Sequence, residues 1–207
     1  MTINMMNECT HVRTASVNDV PKMVRLHLEV FSGYFLSKLG SRFLSAYYKL
    51  AIEYDDSCCL IATDKDGELI GLAVGVINSR KFYQQMMWKW YIFMIPTIYG
   101  LLINPDLIAR TLVNIKRVKN LSLNNKQTSI AMELTSIAVS THNRGTGTVL
   151  MHNFKKETYK KEINKIKLYT DYDDNWNVIQ FYKKHQFRIT SVDIRLNRRM
   201  MSMECDL

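Results

Sequence analysis

The sequence predicts one domain mixing helices and strands, an α/β or α+β fold, and three observations point to it. Apolar residues recur with helical spacing in some stretches and strand spacing in others, with no internal repeat and no low-complexity linker. An Asp66-Gly67 pair between two β-rich runs is a hairpin signal. The stretch STHNRGTGTVLM, Ser140 to Met151, sets a Gly-X-Gly turn between an apolar run and a segment with helical spacing. At 207 residues the chain is long enough to bury a core without disulfides or metals.

Taken in order, residues 11–14 form a short strand. SVNDVPKMVRLHLEVF then reads as a helix capped by Asn18 or Asp19, with Pro21 tolerated in its first turn and Leu26, Val30 and Phe31 on its apolar stripe. Gly40 and Ser41 punctuate the chain before SRFLSAYYKLAIEY, a helix ending near Tyr54. Two strands, 58–63 and 69–77, flank Asp64-Lys65-Asp66-Gly67. Residues 81–120 turn helical again, rich in Met and aromatic residues, and are interrupted by Pro96, Gly100 and Asn104-Pro105. A long strand (129–139), the glycine turn, a helix (about 148–161), the strand KIKLYTD, the helix NVIQFYKKH and a terminal strand pair from FRITSVDIRLN complete the chain.

The formal charge of +9 is concentrated between Arg80 and Lys126, where eight basic residues face one acid, Asp106. Such a balance suits nucleic acid, anionic lipid or a phosphorylated ligand, and composition does not choose among them. The run YIFMIPTIYGLLI is flanked by Lys89 and Asn104 and broken by Pro96, short of the roughly 20 apolar residues of a membrane span. It reads as a buried helix, an oligomer contact or a membrane-surface helix. Cys9, Cys58, Cys59 and Cys205 show no C-x-x-C and no zinc spacing, so reduced thiols are expected, with Cys58 and Cys59 in a strand. The amino terminus has no secretory pattern, and a cytoplasmic protein is expected.

Helix-start N–H groups lack intrahelical acceptors and lie at the positive end of the dipole, so the Gly145/Gly147 turn can wrap an anion, with Arg144 as an added cation. A tight structural turn is the alternative. No Gly-Lys-Ser/Thr follows, and Leu150 stands where a dinucleotide fingerprint needs its third glycine. His11, His27, His142, His152 and His185 form no spaced pair with a carboxylate, so no metal site and no Ser-His-Asp arrangement is expected.

ELTSIAVSTHNRGTGTVLM followed by DDNWNVIQFYKKHQF resembles the GNAT superfamily of acyl-CoA-dependent N-acetyltransferases. SGYFLSKLGSRFLSAYY is similar to a bacterial subgroup with a helical insertion before the long strand. The resemblance implies a mixed, mostly antiparallel sheet flanked by helices, with acetyl-CoA as cosubstrate wedged where two strands part. By it, Ile137, Ala138 and Val139 offer main-chain groups to the pantetheine, Arg144, Gly145, Thr146, Gly147 and Thr148 wrap the pyrophosphate, and Asn175 bonds the pantetheine or caps its helix. Three departures stand: the loop is two residues shorter than the family's, and Asn177 and Gln186 replace its Ala and Gly.

Acetyl transfer to an amine needs a neutral amine, a polarised carbonyl and a proton donor for the departing thiolate. By resemblance Glu133 supplies the base, directly or through water, and Tyr182 the proton. The plainer roles are a strand carboxylate paired with a cation and a ring packed in the core. Strand alternation puts Glu133 on one face with Thr135 and Ile137. Asp171, Asp173 and Asp174 can attract a cationic amine or only favour a helix start. The expected reading is therefore a 1–207 N-acetyltransferase domain with a basic, aromatic insertion at 81–120 acting as a lid. Its expected partner is a small-molecule amine, an amino sugar among the candidates. Nucleic acid is not expected; a homo-oligomer contact, a membrane-surface contact and a protein amine stay open. The rival is a non-catalytic module whose insertion, with Trp88, Trp90 and Tyr91 near Lys89, engages an anionic membrane or nucleic acid.

Overall fold

The structure, a computed structural model, describes residues 10–89, 98, 130–141, 143, 145–195 and 198–207. Its strands are β1 (His11–Thr14), β2 (Ser57–Thr63), β3 (Leu69–Val76), β4 (Met132–Val139), β5 (Lys165–Asp171), β6 (Arg188–Arg195) and β7 (Arg198–Asp206). They form one sheet in the order β1-β2-β3-β4-β5-β7-β6, antiparallel throughout except for the parallel β4–β5 pair. The helices are α1 (Val20–Val30), α2 (Phe35–Lys38), α3 (Ser41–Glu53), α4 (Ser79–Trp88), α5 (Thr146–Lys160) and α6 (Trp176–Lys184). The mixed, mostly antiparallel sheet with flanking helices is the architecture expected from the sequence.

Local chemistry explains the joints. In the β2–β3 hairpin the Asp64 carboxylate accepts N–H bonds from Asp66 and Glu68 at 3.0 and 2.9 Å, and Gly67 takes φ 78°, in the left-handed region. The entry to α1 differs from the simple cap expected at Asn18 or Asp19. Val17–Asp19 forms a 3₁₀ turn, and the Asp19 carboxylate accepts from the N–H and hydroxyl of Ser16, both at 2.8 Å. Arg13 on β1 donates to both Asp19 oxygens at 2.7 and 2.8 Å, so the turn is clamped to the sheet and Asp19 is held well below the usual carboxylate range. Asn78 caps α4 by accepting from the Lys81 N–H. Most of the 81–120 insertion beyond α4 lies outside the described residues.

Apolar clusters pack on both faces of the sheet. In one, Met23, Leu44, Tyr48 and Phe82 from α1, α3 and α4 cover Ile61, Leu72 and Val74. In the other, Leu150, Met151 and Phe154 of α5 lie against Ala73, Met132, Leu134 and Ile166. Gly71 and Gly75, four apart on one face of β3, let α5 come this close. A Cβ at Gly71 would stand 2.7 Å from Leu150 Cδ1, and one at Gly75 2.4 Å from Phe154 Cζ. Cys58, Cys59 and Cys205 are free and buried, and burial pushes the first two thiols up to about 12 and about 11. No helix among the described residues is long and apolar enough to cross a membrane.

Candidate active site

The site begins at an irregularity in β4. Gly75 pairs with Leu134 but Val74 pairs with Ser136, so Thr135 is the extra residue of a β-bulge. The Thr135 hydroxyl donates to Val74 O and accepts from the Tyr47 hydroxyl, each at 3.0 Å, which holds the bulge from the α3 side. On the opposite edge, parallel pairing with β5 covers Met132–Ile166, Glu133–Lys167 and Leu134–Leu168 and stops there. The bulge turns β4 away, so Thr135 to Val139 and Tyr169 to Asp171 part and form walls of a cavity of about 650 Å³.

The bulge also corrects the simple alternation. Before it Met132 and Leu134 face the α5 cluster; after it Ile137 and Val139 do. Glu133 therefore does not share a face with Ile137, because the inserted residue flips the parity of the strand. Glu133 is 6% exposed and its Oε2 lies 3.5 Å from Lys167 Nζ; burial raises the Tyr47 phenol, and the nearby Glu133 charge adds to it. It stands outside the cavity lining, one residue from Leu134, which lines it.

The other end of the cavity meets the start of α5. Gly145 occupies the N-cap position at φ 92°, where a side chain is strained, while Gly147 has an ordinary φ but would place a Cβ 3.3 Å from Phe181 Cε2. Both lie on the cavity with Asn143 and Thr148. The first-turn N–H groups of Thr146 and Gly147 lack intrahelical acceptors. Thr146 itself is 3% exposed and packs its methyl toward Gly71, so only its backbone is available. Arg144 lies outside the described residues.

Tyr182, 7% exposed on α6, lines the same cavity with Ile137, Ala138, Val139 and Asn175, and burial raises its phenol above the ordinary value. Asn175 stands at the N-cap position of α6 without capping it. Its Nδ2 donates to Thr170 Oγ1 at 2.7 Å and Asp171 O at 3.0 Å, tying the helix start to the free end of β5. Asp171 pairs with Arg198 and Asp173 with Arg199.

The sequence reading passed over a buried polar chain on the far wall. His27, 3% exposed on α1, sets Nδ1 2.6 Å from the Tyr48 hydroxyl, which also hydrogen-bonds Ser136 on β4. Its Nε2 is buried without a partner among the described residues. Burial lowers the imidazole to about 4, so it is neutral near pH 7. The only sequence signal was a histidine on an otherwise apolar helix stripe.

No protein-family model and no curated protein matches the chain by sequence. Solved structures do match. An acetyltransferase of the GNAT family from Desulfovibrio desulfuricans superposes with TM-score 0.61 at 11% identity, over 95% of this chain and 98% of that one. The ribosomal-protein-S18-alanine N-acetyltransferase from Escherichia coli gives 0.60 at 9% identity over 95% and 93%. An aminoglycoside 6'-acetyltransferase type Ii gives 0.60 at 14% identity over 95% and 96%. With its β4–β5 pair parted above a glycine-started helix, the chain has the fold of the GNAT acetyltransferases.

Proposed function

We propose that this protein is an acetyl-CoA-dependent N-acetyltransferase acting on the primary amine of a small molecule. The observation that carries the reading is the parted β4–β5 pair, opening on one cavity that also holds the α5 glycine turn and Tyr182. The fit to the coenzyme rests on that turn: Gly145 is left-handed, and side-chain atoms at Gly147 would fill the space beside Phe181. Gly145, Thr146 and Gly147 hold the pyrophosphate through helix-start N–H groups, Thr148, whose own N–H is taken by Gly145 O, does so through its hydroxyl, and Arg144 adds a cation from the same loop of the sequence. Ile137, Ala138 and Val139 offer the unpaired edge of β4 to the pantetheine, and Asn175 steadies the strand end opposite. Acetyl-CoA, when bound, supplies the acetyl group as a thioester. Tyr182 holds a proton at its hydroxyl throughout the neutral range and gives it to the departing sulfur. Glu133, outside the cavity lining, takes the amine proton through a water. The reading keeps residues 1–207 as one domain with 81–120 as an insertion.

Calorimetric titration with coenzyme A, followed by thiol release with an amine panel, tests it. Micromolar binding and amine-dependent thiol release are expected; absence of coenzyme binding rejects the reading and favours a non-catalytic module. Glu133→Gln is expected to slow turnover most at low pH, where the amine is least often neutral. A flat effect across pH would return Glu133 to the role of Lys167's ion-pair partner.

A further inference from the structure

The wall of the cavity facing the glycine turn is built by α1, α2 and the residues between them. Val30, Phe31, Phe35 and Leu36 line it half-buried, and Tyr34 lies exposed at its rim. These side chains also pack on the α1–α3 core, Tyr34 through its edge-on contact with Phe31, so the wall is anchored. The spacing of the apolar positions explains it. Val30 and Phe31 close the α1 stripe, Gly33 at φ 85° turns the chain, and Phe35 and Leu36 return toward the core from the short α2.

Charge adds a second, independent constraint. Among the described residues, Asp171 is the one carboxylate that lines the cavity; its Oδ2 pairs with Arg198, which lines it too, and its buried Oδ1 has no partner among the described residues. Nearby Asp173 is held by Arg199 and Glu133 lies against Lys167. The Asp171 Oδ1 can receive one ammonium group, whereas a ligand with several would bring further charges into this space with no second carboxylate lining it among the described residues, and an uncompensated charge is costly to desolvate. A polyhydroxylated amine would set hydroxyls against phenyl and aliphatic surface. His27 Nε2, which lies on this wall without a partner among the described residues, can serve one hydrogen bond.

We propose that the acceptor is a primary monoamine carried on an apolar, ring-sized body, and that the Phe31–Tyr34–Phe35 wall selects it. This inference rests on the acetyl-transfer reading and turns the choice within it away from amino sugars and polyamines. Burying a ring-sized apolar group strengthens binding about 10- to 100-fold over leaving it in water.

The test uses the full chain loaded with coenzyme A, titrated calorimetrically with 2-phenylethylamine, ethylamine, spermidine, glucosamine and an alanyl tetrapeptide. Phenylethylamine should bind at least about tenfold more tightly than ethylamine and more tightly than each of the other three. Phe35→Ser should shrink the phenylethylamine advantage. Tyr34→Ser, at an exposed position where folding is not at risk, should shrink it less. Tighter or equal binding of spermidine, glucosamine or the peptide overturns the proposal while leaving acetyl transfer standing, as does failure of every amine to bind the loaded protein. Failure of coenzyme A itself to bind is a separate result, seen before any amine is added, and it removes both readings.

Discussion

Tyr182 can be tested by removing one oxygen. Tyr182→Phe preserves the ring contacts with Phe181 and Phe187 while deleting the proton, so turnover should fall about 10²–10⁴-fold with coenzyme affinity little changed. Unchanged turnover, measured by thiol release, would assign the proton to water or another donor. His27 gives a different signature, in stability. Its folded value is lowered from 6.5 to about 4 by burial, so above pH 6.5 both folded and unfolded chains hold it neutral and its full contribution is present. As pH falls from 6.5 toward 4 the unfolded chain takes up a proton that the folded one refuses, and stability drops by up to about 3 kcal/mol. His27→Phe should flatten that part of a melting-temperature profile; an unaltered slope would mean the imidazole is protonated in the folded state. Residues such as these set the limit of sequence reading. Glu133 and Tyr182 are candidates that a motif names, but His27, Tyr48 and Ser136 lie on α1, α3 and β4, and only the fold brings them together.

At the scale of elements, the strands and helices were nearly all legible, because the period of the apolar residues changes wherever the backbone does. β5 occupies the expected residues, and β2 and β3 differ from expectation by one residue at an end. The bulge was missed although MELTSIAV carries its mark: Thr135 and Ser136 are adjacent polar residues that break the alternation where the parity flips, a pair that a strand end or turn would show equally well. The substituted glycine near the carboxyl end has a clear reading: Gln186 adopts φ 66°, the left-handed conformation that ends α6, so the turn survives without the residue that favours it. At the α5 start the two glycines should separate. Gly145→Val forces a branched side chain into φ 92° and should cost about 1–2 kcal/mol of stability as well as coenzyme affinity. Gly147→Val keeps an ordinary backbone but crowds Phe181, and should weaken coenzyme binding about tenfold or more, roughly 1.4 kcal/mol, with smaller loss of stability. Parent-like coenzyme affinity in both variants would make the turn purely structural.

For the whole molecule, the sequence conveyed the sheet's composition but not the order of its last strands, because β7 inserts between β5 and β6 through pairings that no local pattern records. The placement of α1 and α2 over the cavity was equally unreadable, since it depends on packing against α3. That placement gives the cavity two kinds of wall, the glycine turn and the aromatic residues, which the proposed reading assigns to coenzyme and amine. The basic residues of the insertion fall mostly outside the described residues, so the membrane and nucleic-acid alternatives rest on composition alone.

The short parallel contact between β4 and β5 makes the sheet two leaves joined by a hinge-like strip. Amides of β4 beyond Leu134 and of β5 beyond Leu168 that point across the gap have no strand opposite, so they should exchange with deuterated solvent faster than those paired with β3 and β7. Coenzyme A, lodged between the leaves, should slow exchange there and little elsewhere. Protection confined to the outer strands instead would place the ligand away from the gap.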